Sequence, residues 1–147
     1  MPTGTEDTIV REIEIQAPVE RVFDALAKPE HRVRWWGGER AGSPEMESDL
    51  RPGGAWVMRF ESWSGKPASV RGQYRTIEPP HVLEFTGLPD WYDSPSESLV
   101  RFDLFERDGV TTVRVTHSGL ATQTDRASHQ GWPHILDTLR HYAQKTG

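Results

Sequence analysis

Two side chains suited to general acid–base work sit at strand spacing among apolar neighbours: Tyr74 in GQYRT and His117 in VTHSG. An imidazole near the end of a strand, sharing the parity of Val113 and Val115, can take up or release a proton near neutral pH, and a phenol at 74 can serve as its acidic partner. Against this stands the plainer reading of His117, a buried ring satisfied by a backbone carbonyl, which carries more weight. No Asp or Glu shares the inward parity, so nothing orients the ring and no catalytic dyad is established. If there is catalysis, His117 and Tyr74 are the residues to carry it. A second group, His134, Asp137 and His141, stacks along one side of a helical segment and suits a metal by residue type. That side lies opposite Leu136 and Leu139, and two histidines seven residues apart lie about 10 Å apart along a helix axis, too far to share one ion. It reads as a solvated face, so no metal and no cofactor are expected. Gly53-Gly54 belongs to a hairpin and not to a strand-to-helix phosphate loop, and no serine stands in a nucleophile elbow. Nucleotide hydrolysis and acyl-enzyme chemistry therefore leave the shortlist.

The elements that must position these residues follow from the pattern of apolar spacing. Residues 8–17, TIVREIEIQA, alternate as a half-buried strand; Pro18 then suits a first helical position, and Val19, Val22, Phe23 and Leu26 predict a short helix over 18–27. Lys28-Pro29 ends it, and a further helical turn over 30–34 delivers Trp35-Trp36-Gly37-Gly38. Strands are expected at 44–50, 55–62, 68–77, 81–87, 98–106 and 110–118, separated by turn chemistry such as Pro52-Gly53 and Asp108-Gly109. After Gly119 the period changes: Thr124, a suitable N-cap, opens a long amphipathic helix to about Lys145, with Trp132, Ile135, Leu136, Leu139 and Ala143 on one face and Gly131 and Pro133 bending it. No repeat, linker or low-complexity tract interrupts the chain, so residues 1–147 read as one domain of α+β class. A curved antiparallel sheet is covered by the C-terminal helix, with two short helices between the first and second strands.

Assigning each strand's apolar parity inward gives Ile13, Ile15, Met46, Ser48, Leu50, Trp56, Met58, Phe60, Ser62, Val70, Gly72, Tyr74, Thr76, Leu83, Phe85, Val100, Phe102, Leu104, Val113, Val115 and His117. The opposite parity is polar. Large aromatics with a few hydroxyl and imidazole tips describe a small-molecule pocket better than a sealed aliphatic core. Gly72 in mid-strand suggests a bend, or room for something to come close. The residues expected to line a ligand chamber are Trp35, Ser48, Trp56, Met58, Phe60, Tyr74, Thr76, Phe85, Phe102, His117, Trp132 and Leu136. Trp56, Met58 and Phe60 are equally expected to pack on the last helix. A void of about 300 Å³ left empty would cost on the order of 7 kcal/mol, comparable to a whole domain's stability, so such a chamber is collapsed, hydrated or occupied. Trp91 and Tyr92, in the polar loop GLPDWYDSPSES, are candidates for a lid over its mouth.

Bulk properties narrow the partners. Of 147 residues, 35% are hydrophobic and 27% charged, and the formal net charge of −5 disfavours nucleic acid or an anionic membrane as the main partner. Zero cysteines remove disulfides, thiolate nucleophiles and Cys-ligated zinc. The polar start MPTGTEDT lacks the apolar core of a signal peptide, and no apolar run reaches membrane-spanning length, so the expected location is the cytoplasm. A homodimer is left open.

The strings IEIQAPVERVFDAL (13–26), RWW (34–36), DLRPGG (49–54), GQYRTIEPPHVLEFT (72–86), VTHSGL (115–120) and GWPHILDTL (131–139) extend over nearly the whole chain. On these strings the sequence resembles the SRPBCC (START-like, helix-grip) superfamily, and within it the group named after the activator of heat-shock protein 90 ATPase. The resemblance implies a curved antiparallel sheet gripping the C-terminal helix around a deep cavity, and it supplies no shared catalytic set. Three functions follow as expectations, in descending order. The first is binding of a small apolar or aromatic ligand. The second is a cyclase, dehydratase or hydrolase working by acid–base chemistry in the same cavity. The third is a co-chaperone acting on a heat-shock protein 90 homologue.

Overall fold

The computed structural model describes residues 8–35, 42–61, 65–90, 95–128, 130 and 132–145. The elements are β1 (Ile9–Ile15), α1 (Val19–Ala27), α2 (Pro29–Trp35), β2 (Gly42–Ser48), β3 (Ala55–Glu61), β4 (Pro67–Glu78), β5 (Val82–Pro89), β6 (Ser98–Arg107), β7 (Val110–Ser118), α3 (Gln123–Ser128) and α4 (Trp132–Lys145). The strands form one seven-stranded antiparallel sheet in the order β1-β7-β6-β5-β4-β3-β2, a meander whose last strand closes on the first strand of the chain. This is a helix-grip α+β fold. Ladder bonds on β1 and β2 are satisfied on one side only, so these are the sheet's two edges.

Pro52-Gly53 makes the expected turn between β2 and β3, with Gly53 at φ +83° and Asp49 N–H donating to Ala55 O at 2.9 Å. Asp108-Gly109 likewise joins β6 to β7 with both residues at positive φ. Pro18 stands one position earlier than expected, as the residue before α1, and has no side-chain oxygen to cap it. Glu106 of β6 supplies that cap instead, accepting the Val19 N–H at 2.7 Å.

The C-terminal helix departs from expectation. The segment forms two helices, α3 and α4, where a single bent one was expected, and only the 14 residues of α4 make the long one. Pro133 is the second residue of α4, where its missing N–H costs nothing; further inside a helix its ring would clash with a carbonyl one turn back. Helix α3 is capped by Thr122 and not Thr124: Asp125 N–H donates to Thr122 Oγ1 at 3.0 Å, and Thr122 N–H to Asp125 Oδ2 at 3.2 Å. The cover over the sheet is also shared more widely than one helix. Helix α4 packs on β1, α1 and α2, while α1 lies against β5, β6 and β7 and α2 against β2.

Burial follows the assigned parity across most of the sheet. Ile15, Met58, Leu83, Leu104, Val113 and Val115 are inaccessible to solvent, as are Val22 of α1 and Leu139 and Ala143 of α4. The outer face carries cross-strand ion pairs, among them Arg114–Glu12 at 2.6 Å and Arg59–Glu47 at 2.6 Å, each worth about 1 kcal/mol or less at such exposure. Two expected inward residues do not face in. Leu50 follows the end of β2 and is exposed. A bulge at Arg75 shifts the pairing from Tyr74↔Phe85 to Thr76↔Glu84, so Thr76 turns outward, donating to Glu84 Oε1 at 3.0 Å. Ile77 takes the inward place and packs against the core. Ser62 lies outside the described residues.

Gly72 is where two strands and a ring crowd together. A Cβ there would stand 1.8 Å from the Thr86 carbonyl oxygen and 2.9 Å from Trp56 Nε1. Thr86 O accepts the Trp56 indole N–H at 3.2 Å, while Thr86 Oγ1, not the carbonyl, accepts the Gln73 N–H at 2.9 Å. The room that the glycine provides is thus filled by the protein's own backbone. Gly72→Ala is expected to destabilise the fold by about 3 kcal/mol or more through overpacking against backbone that cannot yield. Chemical denaturation measures it; a loss below about 0.5 kcal/mol would mean that β5 shifts freely at Thr86.

Candidate functional site

The inner face carries a continuous series of rings. Trp56 of β3 and Tyr74 of β4 meet Phe85 of β5 edge-on, with centroids 5.3 and 6.2 Å apart. Phe85 lies 6.1 Å from Phe102 of β6, and Phe102 meets Trp132 of α4 at 5.8 Å. Trp132 in turn stands edge-on to His117 of β7 at 5.8 Å. Strand alternation places one ring per strand on the same side, and cross-strand register brings them to touching distance. Met58 and Leu136 are buried beside them, and Phe60 is partly buried.

Trp35, expected among the chamber residues, anchors helices: it is 3% exposed and donates its indole N–H to Ala25 O of α1 at 2.8 Å. Trp36, Trp91 and Tyr92 lie outside the described residues, and with them the expected lid. Both ends of that loop are tied down. Asp90 accepts the Ser69 N–H at 2.7 Å and the Ser69 hydroxyl at 2.8 Å, and Asp125 accepts the Ser96 N–H at 3.2 Å.

The expected pairing of His117 with Tyr74 is not made. Tyr74 Oη bonds Ser48 Oγ at 2.6 Å, three strands away from β7. His117 is 3% exposed, receives the Trp132 indole N–H on Nδ1 at 3.0 Å and meets Ser98 Oγ through Nε2 at 2.7 Å. An indole N–H only donates, so Nδ1 holds a lone pair and the neutral ring carries its proton on Nε2. Ser98 therefore accepts from the imidazole, and its own hydroxyl points to Gly87 O at 3.4 Å. This serine–histidine contact resembles a nucleophile and its base by distance, but the proton is on the wrong nitrogen for the ring to activate the serine. Trp132 and Ser98 stand where a backbone carbonyl was expected.

Arg32 went unrecognised in the sequence. It lies on α2, 2% exposed, with its guanidinium carbon 4.7 Å from the Trp56 ring centroid and 4.6 Å from that of Phe85. Burial lowers its pKa to about 10, opposed by the charge of Tyr74, so the group is a cation at neutral pH. Removing a cation from water costs several kcal/mol, while a desolvated cation–π contact returns about 2 kcal/mol. A signal was available: in HRVRW, Arg32 precedes Trp35 by three residues and so shares the inward side of the helix.

On α4, His134 and His141 are exposed, and Asp137 forms an ion pair with Arg140. His141 Nδ1 bonds the Asp137 carbonyl at 2.9 Å. They occupy the helix's outer side, and among the described residues no three His, Cys, Asp or Glu gather as metal ligands.

Three open volumes adjoin the described residues. A groove of about 790 Å³ runs along the outer side of β2–β5, lined by Glu47, Asp49, Val57, Arg59, Arg71 and Leu88, and only Ser48 and Trp56 of the expected chamber residues touch it. Two others, of about 490 and 530 Å³, lie beside His31 and Tyr142 and beside Gln16 and Arg140. None of these three is the deep chamber between sheet and helix that was expected.

The model of the family described as "Activator of Hsp90 ATPase homolog 1-like protein" matches residues 16–144. The chain belongs to this family. No curated protein matches it. Solved structures with the same fold include a protein from Chromobacterium violaceum, 20% identical, covering 95% of this chain and 99% of that one at a TM-score of 0.79. CalU16 from Micromonospora echinospora is 27% identical, covering 92% and 75% respectively, TM-score 0.68. DynU16, from the dynemicin biosynthetic locus, is 20% identical over 92% of this chain and 46% of its own, TM-score 0.74. These likenesses show the helix-grip fold. No helix among the described residues is long and apolar enough to cross a membrane.

The His117 tautomer gives a direct test. In nitrogen-15 spectra the ring is expected as the Nε2–H tautomer, and Trp132→Phe is expected to release that preference and cost about 1–2 kcal/mol by stranding Nδ1. An Nδ1–H tautomer in the unaltered protein would contradict the Trp132 contact.

Proposed function

We propose that this family member binds a small apolar or aromatic molecule on the inner face of its sheet, against the rings of Trp56, Phe85 and Phe102. The observation that carries the reading is a buried polar set inside an aromatic surface. Arg32 lies on Trp56 and Phe85, and the Tyr74–Ser48 hydroxyl pair lies beside the same rings. Aliphatic residues would fill that volume without desolvating a charge, and sparse polar groups among rings are what orient a small ligand. Family membership and the helix-grip fold support the same reading.

The rings touch one another in this structure, so a ligand enters by displacing side chains. Short ring-to-ring contacts worth about 1 kcal/mol each are within what a ligand's burial can offset. Catalysis by His117 and Tyr74 gains no support, since each is engaged by another protein group.

A ligand present at one hundred times its Kd stabilises the fold by about 2.7 kcal/mol, which for a domain of this size raises Tm by about 5–10 °C. A thermal-shift panel of fused-ring aromatics, fatty acids and polyketides is expected to contain such a compound. Its amide shift perturbations are expected to centre on Trp56, Tyr74, Phe85 and Phe102. Perturbations confined to Val57, Arg71 and Leu88 would move the site to the outer groove and refute the reading.

A further inference from the structure

One row of residues on the outer side of the sheet combines apolar ground with charges that the protein does not itself neutralise. Cross-strand register sets Glu47 of β2, Val57 of β3, Arg71 of β4 and Leu88 of β5 side by side. One step past the Gly87↔Ser98 pair, Glu97 stands opposite Leu88, just before β6. All five line the outer groove of about 790 Å³. Glu47 is held by Arg59 at 2.6 Å, and Asp49, also on the groove, by Arg51 at 2.7 Å. The side chains of Arg71 and Glu97 are exposed and make no ion pair or hydrogen bond among the described residues. We infer that this groove binds a short zwitterionic peptide with apolar side chains, its terminal carboxylate at Arg71 and its terminal ammonium at Glu97. The site is separate from the inner face and does not depend on the ligand proposed there.

Charge, span and polarity agree on such a molecule. A guanidinium donates two parallel N–H bonds to a carboxylate, and a glutamate accepts from an ammonium. With Glu47 and Asp49 already paired, one charge of each sign remains free on the groove, the pattern that a zwitterion answers. A simple anion meets Glu47, Asp49 and Glu97 at the borders, and a simple cation meets Arg59 and Arg71. Adjacent strands lie about 4.8 Å apart, so the backbones at Arg71 and Glu97, on either side of β5, are about 10 Å apart. An extended dipeptide spans about 7 Å, and the two side chains cover the remainder. A free amino acid, with both charges on one carbon, leaves more of that gap open. Between the charges Val57 and Leu88 are half-buried, each opposite Arg71, and give the peptide's side chains an apolar floor. The free edge of β2 is a poorer seat for a peptide, since Pro44 has no N–H to offer and the register shifts between Gly42 and Glu45.

The test titrates the full chain, labelled with nitrogen-15, with leucyl-leucine and three controls: N-acetyl-leucyl-leucine, leucyl-leucinamide and glycyl-glycine. Leucyl-leucine is expected to shift the amides of Val57, Arg71 and Leu88. It is expected to bind about three- to fivefold more tightly than each control, as befits exposed ion pairs. Arg71→Gln is expected to erase its advantage over the amide, and Glu97→Gln its advantage over the acetylated peptide. Capped peptides that bind as tightly as the free one overturn the zwitterion. An advantage that survives both substitutions overturns the roles of Arg71 and Glu97. Absent shifts, or shifts centred on Phe85 and Phe102, overturn the outer site. Should either variant not fold, the capped peptides on the unaltered protein decide the question. None of these failures touches the inner-face reading, which is tested with apolar and aromatic compounds.

Discussion

The carbonyl of Thr86 reaches into the place where β4 has no side chain, and the arrangement of the inner face depends on that approach. Because residue 72 is glycine, the carbonyl oxygen comes within what would be bonding distance of a Cβ and accepts the Trp56 indole N–H. The indole is thereby fixed edge-on to Phe85, and the two rings together receive the guanidinium of Arg32. The Thr86 hydroxyl takes over the ladder acceptor that the carbonyl has given up, so no backbone donor is stranded at Gln73. One missing methyl group thus sets the position of a tryptophan, a phenylalanine and a buried cation.

The far end of the same face is organised by a different device. Trp132 opens α4 and passes its indole N–H to His117, which passes its own proton toward Ser98 and so joins the helix to β7 and β6. Directional bonds of this kind fix the tautomer and the ring orientation together, and they convert an ionisable residue into a structural one. The two ends differ in what they present. At one, an indole, an imidazole and a hydroxyl form a hydrogen-bonded chain; at the other, a guanidinium lies against two ring faces.

Much of this was legible in the amino-acid pattern. Period-two alternation locates a strand because side chains of a strand leave on alternate sides, and for β3, β6 and β7 the inward set, from Trp56 to His117, is the buried set. The failures share one cause, that alternation says nothing about a single residue inserted out of phase. The bulge at Arg75 reverses the rest of β4, so Thr76 went outward and Ile77 inward. The reach of one helix was overestimated because the apolar face begins only at Trp132, where α4 begins, and the residues from Gln123 to Ser128 form a separate helix, α3. Residue types place a ring on each of β3 to β6, and cross-strand register sets how those rings meet.

Sequence by itself determined the secondary elements, their order, the wet and dry sides of most strands and the family, because these depend on local backbone preference and on repeating side-chain direction. Tertiary structure alone decided which polar atoms meet. Tyr74 pairs with Ser48 rather than His117, His117 is closed by Trp132 and Ser98, and Arg32 rests between two rings from strands more than 20 residues further along the chain. Such pairings are set by cross-strand register and by how helices lie across the sheet, distances that span the chain and leave no periodic trace within it.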